Sequence, residues 1–202
     1  MSRDIVTVIK SVNYSEADKV LTVFGKERGK FVLFAKGIRK INSKNRGNMQ
    51  TFSTSKISFY EGKGMPLLTE SELVDSLDLD NLHVTNVKRV LFMLNKFLQE
   101  GESYPELFNS LQRGLRKGFD TESTNKLRMI FLKEMGFLDD FTHCKCCGSS
   151  EDIVYLDVEN FALVCKNCYS IQKAKPLGDK PYESKVLTNA LDKYIKKVVE
   201  EI

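Results

Sequence analysis

Two Cys-x-x-Cys pairs constrain the fold of this chain more than any other feature of its sequence. The pairs are Cys144/Cys147 and Cys165/Cys168, and 17 residues separate them. Four thiolates at this spacing are typical of a tetrahedral zinc site, because a two-residue gap lets both thiolates of a tight turn reach one ion. A complete set of four protein ligands leaves no open position for water, so the pattern favours a structural metal. Thiolate chemistry alone leaves zinc and iron both open.

Three neighbours of these pairs complete the prediction of a zinc segment over residues 142–172. Gly148 follows the first pair and predicts a sharp turn there. Cys146 and His143 also have ligand chemistry, but four cysteines already fill a tetrahedron. We therefore expect both side chains to be bystanders.

Length and composition are those of an ordinary globular chain of 202 residues. No apolar run approaches the roughly 18 residues that a membrane helix needs, and the N-terminus lacks the apolar segment of a signal peptide. Four of the five cysteines have metal-ligand spacing, which favours a reducing compartment over a disulfide framework. The sequence therefore predicts a cytoplasmic protein that has no contact with a membrane.

Positive charge is concentrated near the beginning of the chain. Residues 1–64 contain 13 Lys and Arg against 5 Asp and Glu, a net charge of +8, whereas the whole chain carries only +4. An uneven distribution of this kind indicates a module that binds a polyanion.

The first 75 or so residues contain five short β-branched or aromatic runs separated by turn residues. The runs lie at residues 3–12, 20–24, 31–34, 56–59 and 67–74. Five strands in this length predict an OB-fold, a small barrel that commonly binds oligonucleotides. In the fourth run we expect Ile57 and Phe59 to point inward and Tyr60 outward, and we expect most phenylalanines to fill the barrel.

Beyond residue 79 the apolar residues recur with helical spacing. Four apolar stripes predict four helices, with Gly118 and Gly136 as stops after the second and third. The stripes are Val87/Leu91/Leu94/Leu98, Leu107/Phe108/Leu111/Leu115, Leu127/Ile130/Phe131/Met135 and Leu187/Leu191/Tyr194/Val198. We therefore expect an α+β multidomain fold, with an OB-fold domain over 1–78 and a helical domain over 79–202 that contains the zinc segment.

A basic segment between the third and fourth strands is the best candidate for binding nucleic acid. It carries five cations in 11 residues and no acid, and we expect a long, mobile loop. Lys and Arg side chains can neutralise phosphates and release condensed counterions, independently of base sequence. With Lys30 from the preceding turn, the predicted nucleic-acid-binding residues are Lys30, Lys36, Arg39, Lys40, Lys44 and Arg46.

No catalytic pattern accompanies these features. The sequence has no G-x-x-x-x-G-K-[ST] loop, and neither histidine begins the His-x-Glu motif of the zinc deaminases. We therefore predict a protein that is not an enzyme.

The order of these features resembles the RecO family of bacterial recombination mediators. The likeness extends over nearly the whole chain, through a basic barrel, a helical middle and a four-cysteine segment. The stretches that carry it are 14–24, 29–40, 43–47 and 136–148.

The resemblance implies a function and a set of partners. It implies binding of single- and double-stranded DNA, annealing of complementary strands, and help in loading recombinase onto DNA coated by single-strand-binding protein. It also implies two protein partners, RecR and the acidic C-terminal tail of single-strand-binding protein. Candidate tail-binding cations on the helices are Lys88, Arg89, Arg113, Arg116 and Arg128.

The residues leave three alternatives open. One is an RNA-binding or ribosome-associated protein with the same barrel and zinc segment. A second is a zinc-dependent hydrolase or nuclease, against which the complete set of four ligands argues. A third is an adaptor that binds only proteins.

Overall fold

A computed structural model describes residues 1–77, 79–80, 82–138, 141–170 and 174–201. The chain divides into two compact units, Met1–Asp120 and Thr121–Ile202. Unit 1 contains a barrel and two helices, and unit 2 contains two helices and a small sheet. The predicted boundary residue 78 and the last two residues of the predicted zinc segment, 171 and 172, lie outside the described residues.

Five strands form a closed barrel in unit 1. They are β1 Ser2–Asn13, β2 Lys19–Gly25, β3 Gly29–Ala35, β4 Thr54–Tyr60 and β5 Leu67–Asp75. Their order around the barrel is β1-β2-β3-β5-β4. All neighbours are antiparallel except β3 and β5, which meet in parallel at Phe34 and Leu67 and complete the closure. The predicted OB-like barrel is confirmed, and each strand covers the run that predicted it.

The barrel interior is filled by alternate residues of each strand. In β3, Phe31, Leu33 and Ala35 are buried, so Val32 and Phe34 point outward and are only half-buried. The predicted orientations in β4 are confirmed, with Ile57 and Phe59 buried and Tyr60 exposed. The twelve buried side chains of this core are Val6, Val8, Leu21, Val23, Phe31, Leu33, Ala35, Ile38, Met49, Ile57, Phe59 and Leu68.

The basic segment after β3 is folded against the barrel, where we expected a mobile loop. It consists of successive turns, closed by hydrogen bonds such as Ser43 N–H to Lys40 O at 3.0 Å. Ile38 and Met49 bury their side chains in the barrel core. The Asn48 side chain donates to Ser71 O on β5 at 2.8 Å. Two apolar anchors within a polar sequence thus hold the loop in place, and the charge pattern alone could not reveal them.

Two helices complete unit 1, α1 Val84–Phe97 and α2 Pro105–Arg116. The predicted stripe of α2 is confirmed, since all four of its residues are buried. The predicted stripe of α1 is partly wrong, because Val87 and Leu91 are only half-buried. The buried face of α1 is instead centred on Asn86, Val90, Met93, Leu94 and Phe97.

In unit 2, α3 Thr121–Glu134 precedes the predicted zinc segment and α4 Lys185–Glu201 follows it. The described residues between them form three strands, β6 Ile153–Asp157, β7 Ala162–Cys165 and β8 Lys175–Pro176, in the order β7-β6-β8. Gly136 has a φ of 73° just after α3, consistent with its prediction as a helix stop. Among the described residues, no helix is both long enough and apolar enough to cross a membrane.

Candidate functional site

The four predicted metal ligands come together in unit 2. Their Sγ atoms all lie within 4.8 Å of one another, and those of Cys147 and Cys165 are 3.7 Å apart. A tetrahedral zinc site with Zn–S bonds of about 2.3 Å places its sulfurs about 3.8 Å apart. The four cysteines are therefore positioned to bind one metal ion.

Backbone hydrogen bonds form the two turns that present these thiols. Gly148 N–H donates to Cys144 O at 2.9 Å, and Gly148 has the left-handed φ of 74° that the sequence predicted for a sharp turn. Cys168 N–H donates to Cys165 O at 3.1 Å, directly after β7. Lys145 N–H donates to Leu163 O at 2.9 Å and joins the first turn to β7. The site therefore links the loop after α3 to the small sheet.

The thiols influence one another's ionisation. Burial raises the pKa of Cys144, but backbone N–H groups of Cys165, Cys147 and Cys146 outweigh it and lower that pKa to about 6. Hydrogen bonding to Cys165 and loss of solvent raise the pKa of Cys168. Such close thiolates repel each other unless a cation neutralises them. The donor set therefore fits a divalent ion.

Cys146 and His143 lie outside this group of four. Cys146 is exposed. Its pKa is raised, mainly by partial desolvation of the thiol and also by the negative charge of the nearby Cys144. His143 is exposed and its Nδ1 lies 2.7 Å from the hydroxyl of Thr142. Their role as bystanders stays a prediction.

A small polar cavity in unit 1 brings together part of the predicted DNA-binding set. We call it the cradle; its volume is about 290 Å³. Among the described residues that line it, three are cations and none is an acid. Its lining residues are Asn13, Lys19, Ile38, Arg39, Arg46, Met49 and Gln50.

The cradle contains residues that the sequence analysis missed. Lys19 begins β2, where it pairs with Asn13 across the β1–β2 hairpin and with Ala35 at the end of β3. This register places Lys19 beside the basic segment, which starts at Lys36. A three-strand meander drawn from the predicted strands would have suggested this proximity.

The other predicted DNA-binding residues are dispersed. Lys36 and Lys40 are exposed on the loop, near Asp18. Lys44 lines a separate groove of about 730 Å³, in which four cations face four acids. Lys30 pairs with Phe24 near the β2–β3 turn, at the opposite end of β3 from Lys36. The structure therefore brings Arg39 and Arg46 together with Lys19, and leaves Lys30 apart.

An aspartate fixes the start of the basic loop. Gly37 N–H donates to Asp18 Oδ1 at 2.7 Å, and the Arg39 guanidinium donates to Ser15 O at 2.8 Å. Hydrogen bonds from Gly37 and Ser15, with the charges of Lys36 and Lys40, lower the pKa of Asp18. A carboxyl with a lowered pKa stabilises the fold above its unfolded value of about 3.9, and loses that effect as the pH falls through its folded value. The anchor is therefore intact at neutral pH.

The five candidate cations on the helices differ in their surroundings. Arg128 does not suit a surface contact with a peptide, because it is only 2% exposed and forms a 2.6 Å ion pair with Asp192. Arg116 pairs with Asp75 at 2.6 Å, and the Arg89 guanidinium donates to Asn86 Oδ1 at 3.0 Å. Arg113 lies in the last turn of α2.

Lys88, the fifth of these cations, lies on an exposed surface of α1. We call this surface the α1 patch; its residues are Lys88, Leu91, Phe92, Asn95 and Lys96. Phe92 is 48% exposed there.

The closed barrel, the basic loop and the four-cysteine group together define a β-barrel protein with a four-cysteine segment that is positioned to bind a metal ion. Family comparison agrees with this class. Residues 1–77 match the family model described as Recombination protein O N terminal, and residues 89–179 match Recombination protein O C terminal.

Curated relatives described as DNA repair protein RecO give the same result. The chain is 30% identical to that of Syntrophomonas wolfei over 173 residues, which are 82% of this chain and 69% of the relative. It is 33% identical to that of Desulforamulus reducens over 176 residues, covering 82% and 68%. It is 31% identical to that of Shouchella clausii over 179 residues, covering 84% and 70%. The chain belongs to the RecO family.

The family models divide the chain between residues 77 and 89, close to the predicted domain boundary. Compactness instead groups α1 and α2 with the barrel, in Met1–Asp120. The boundary at 78 stays a prediction.

Proposed function

We propose that this chain is a non-enzymatic DNA-binding mediator of recombinational repair. It anneals complementary single strands and helps to load recombinase onto DNA coated by single-strand-binding protein. The observation that carries the proposal is the cradle, where Lys19, Arg39 and Arg46 line one cavity and no acid is among the described lining residues. Membership of the RecO family and the charge of +8 on residues 1–64 support it.

Annealing by this protein needs charge and accessible bases. Two DNA strands repel each other, and bound Lys and Arg side chains neutralise phosphates and reduce that repulsion. Contacts to the backbone leave base edges free to pair. The exposed Lys36 and Lys40 extend the positive surface beyond the cradle. No nucleotide hydrolysis is required for this step.

The metal in this proposal is a structural zinc held by Cys144, Cys147, Cys165 and Cys168. The zinc ion would neutralise four close thiolates. It would also join the loop after α3 to β7 and so stabilise unit 2. With all four positions taken by protein, the ion would supply no nucleophile.

We further propose that the partners are RecR and the acidic tail of single-strand-binding protein. The α1 patch is our candidate for the tail. Its Lys88 and Lys96 flank the exposed Phe92 and the half-buried Leu91, so it offers positive charge around an apolar centre. An acidic peptide that ends in apolar residues is complementary to this surface.

Replacing the three cradle cations with alanine tests the DNA-binding proposal. The variant Lys19→Ala/Arg39→Ala/Arg46→Ala should lose up to three phosphate contacts. For single-stranded DNA, each contact contributes about 0.7 to the slope of log K against log salt, so the slope should flatten by about 2. Annealing of complementary oligonucleotides without ATP should slow in parallel. Fluorescence anisotropy across a salt series measures the slope.

A control variant with the same loss of charge lies on α4. Lys193→Ala/Lys196→Ala/Lys197→Ala removes three exposed lysines and should leave the slope unchanged. If the slope of log K against log salt were unchanged in the cradle variant, the cradle would not be part of the DNA-binding surface. Tighter binding of single-stranded RNA than DNA by the unmodified protein would favour the RNA-binding alternative.

A further inference from the structure

The outer face of β2 and β3 is covered at one end and open at the other. At the covered end, Phe24 packs against Phe108 of α2 with ring centroids 5.6 Å apart. At the open end, Val20 pairs with Phe34, and both side chains are half-buried. In OB-folds, the face of strands 2 and 3 with the adjoining loops is where oligonucleotides bind.

Tyr14 extends this open end into solvent. It lies in the β1–β2 hairpin and is 67% exposed. Its ring meets that of Phe34 edge-to-face, with centroids 5.4 Å apart and an interplanar angle of 87°. Two aromatic side chains that support each other at a surface form a rigid platform that loses little conformational freedom when a ligand binds.

The hairpin that carries Tyr14 is held in place by hydrogen bonds. Tyr14 N–H donates to Asp18 O at 3.1 Å, and Asp18 N–H donates to the Ser15 hydroxyl at 3.1 Å. Arg39 connects the hairpin to the basic loop, because its backbone N–H donates to Ala17 O at 2.9 Å. These hydrogen bonds therefore hold the hairpin backbone against the basic loop.

The platform and the cradle share the β1–β2 hairpin. Asn13, which precedes Tyr14, lines the cradle, and so does Lys19 at the other end of the same hairpin. Arg39 also lines it, and its guanidinium donates to Ser15 O at 2.8 Å. A single strand that crosses this hairpin can therefore contact both the cradle cations and the aromatic surface.

We propose that Tyr14, supported by Phe34, is a stacking platform for one unpaired nucleobase of single-stranded DNA. This inference rests on the proposed DNA-binding function and adds a preference for single-stranded over duplex DNA. Every base has a π-face, so stacking tolerates any sequence. Bases within a duplex are already stacked on each other and are not available to the platform. The cradle binds the backbone of either form, while Tyr14 favours the single strand.

The test compares Tyr14→Ala with the unmodified protein on single-stranded and duplex oligonucleotides. Loss of one stacked base should weaken binding of single-stranded oligo-dT by about tenfold. Duplex affinity should change by less than about twofold, and the salt slope should stay the same, because no cation is lost. Tyr14→Phe should retain the affinity, since the ring is kept.

Two further measurements separate stacking from a structural effect. Tyrosine emission reports directly on the rings, because the chain has seven Tyr and no Trp. Single-stranded DNA should quench this emission less in Tyr14→Ala. An oligonucleotide with abasic sites should bind the unmodified protein and Tyr14→Ala equally. The control Tyr60→Ala removes another exposed tyrosine, at the end of β4, and should have no effect on affinity.

Two outcomes would overturn the inference. One is an equal loss of single-stranded and duplex affinity in Tyr14→Ala, which would assign Tyr14 to holding the hairpin. The other is a loss of affinity of Tyr14→Ala for abasic DNA that is as large as its loss for oligo-dT. Failure of the proposed function looks different, because the unmodified protein would then bind neither form of DNA at low salt.

Discussion

Two phenylalanines in unit 1 have a backbone conformation that non-glycine residues rarely adopt. Phe52 has a φ of 64° and Phe119 a φ of 57°. Both side chains are buried, and their ring centroids are 5.2 Å apart. A left-handed backbone costs about 1–2 kcal/mol per residue, which burial of a large aromatic side chain offsets. This pair therefore ties the end of the basic loop to the segment after α2.

Gly114 is required by the packing of this pair. A Cβ atom at this position would lie 2.7 Å from the ring of Phe119, which is fully buried. Gly114→Ala should therefore destabilise unit 1 by overpacking, by ~1–3 kcal/mol. Urea unfolding followed by circular dichroism measures the change in the free energy of unfolding.

Gly64→Ala is the matched control, since a Cβ atom there meets nothing within 4 Å. Its stability should stay within about 0.5 kcal/mol of the parent. Equal unfolding midpoints for Gly114→Ala and the parent would show that Phe119 can move, and would contradict a tight pair. The requirement for glycine at 114 depends on contact with a side chain in another segment, so the sequence alone could not predict it.

At the scale of elements, the strands were predictable because their alternation is unambiguous. In β3, large apolar residues at 31 and 33 define the inner face, and the barrel uses that face. Helix α1 was harder, because apolar residues cover more than half of its circumference. Burial selects Val90, Met93 and Phe97, which leaves Phe92 exposed and Leu91 half-buried in the α1 patch. The sequence could not choose between two overlapping apolar stripes.

Charged residues on helices were the least predictable part of the candidate site. Arg128 has the sequence context of a surface cation, yet Asp192 pairs with it from α4, 64 residues away along the chain. The cysteines were the most predictable part, because local spacing fixes each turn and the chemistry of one ion demands both pairs. The cradle was predictable in part. Its loop cations Arg39 and Arg46 were among the predicted residues, whereas Lys19 could be found only from the register of the β1–β2 hairpin.

The predicted zinc segment should fold as a single element around its ion. Cys165→Ser removes a buried thiol of the proposed metal site, at the end of β7. We expect it to lose about one equivalent of zinc per chain and to lower the thermal stability of unit 2, because binding energy of the ion is folding energy. Mass spectrometry for metal content and calorimetry measure both effects.

Cys146→Ser provides the control for this prediction, because Cys146 is exposed and lies outside the group of four. It should retain the zinc and the transition temperature. Retention of zinc by Cys165→Ser, or its loss from Cys146→Ser, would contradict the assigned ligand set. If iron were found instead of zinc, the assigned ligand set would stand and only the identity of the metal would change.

At the scale of the whole molecule, the two proposed ligands are both anionic and must not compete. DNA is assigned to the cradle, the basic loop and Tyr14. The peptide is assigned to the α1 patch, whose residues share none of the cradle's lining. A mediator that acts on coated DNA needs both surfaces at once, so that a tail can be held while strands are bound.

Separate surfaces predict separate effects of substitution. Phe92→Ala should weaken binding of a synthetic acidic peptide with an apolar C-terminal residue by ~10-fold, because an aromatic centre commonly dominates such a contact. Its affinity for oligo-dT should change by less than about twofold. Leu73→Ala, at another exposed apolar residue, is the control and should leave peptide binding intact. Fluorescence anisotropy with a labelled peptide measures these affinities.

Competition between the ligands decides whether the surfaces are independent. Saturating oligo-dT should leave the peptide affinity of the unmodified protein unchanged, since screening at physiological salt limits repulsion between anions to about 8 Å. Displacement of the peptide by DNA would show that both ligands use one positive surface. In that case the cradle variant Lys19→Ala/Arg39→Ala/Arg46→Ala would weaken peptide binding as well, and the separate role of the α1 patch would be wrong.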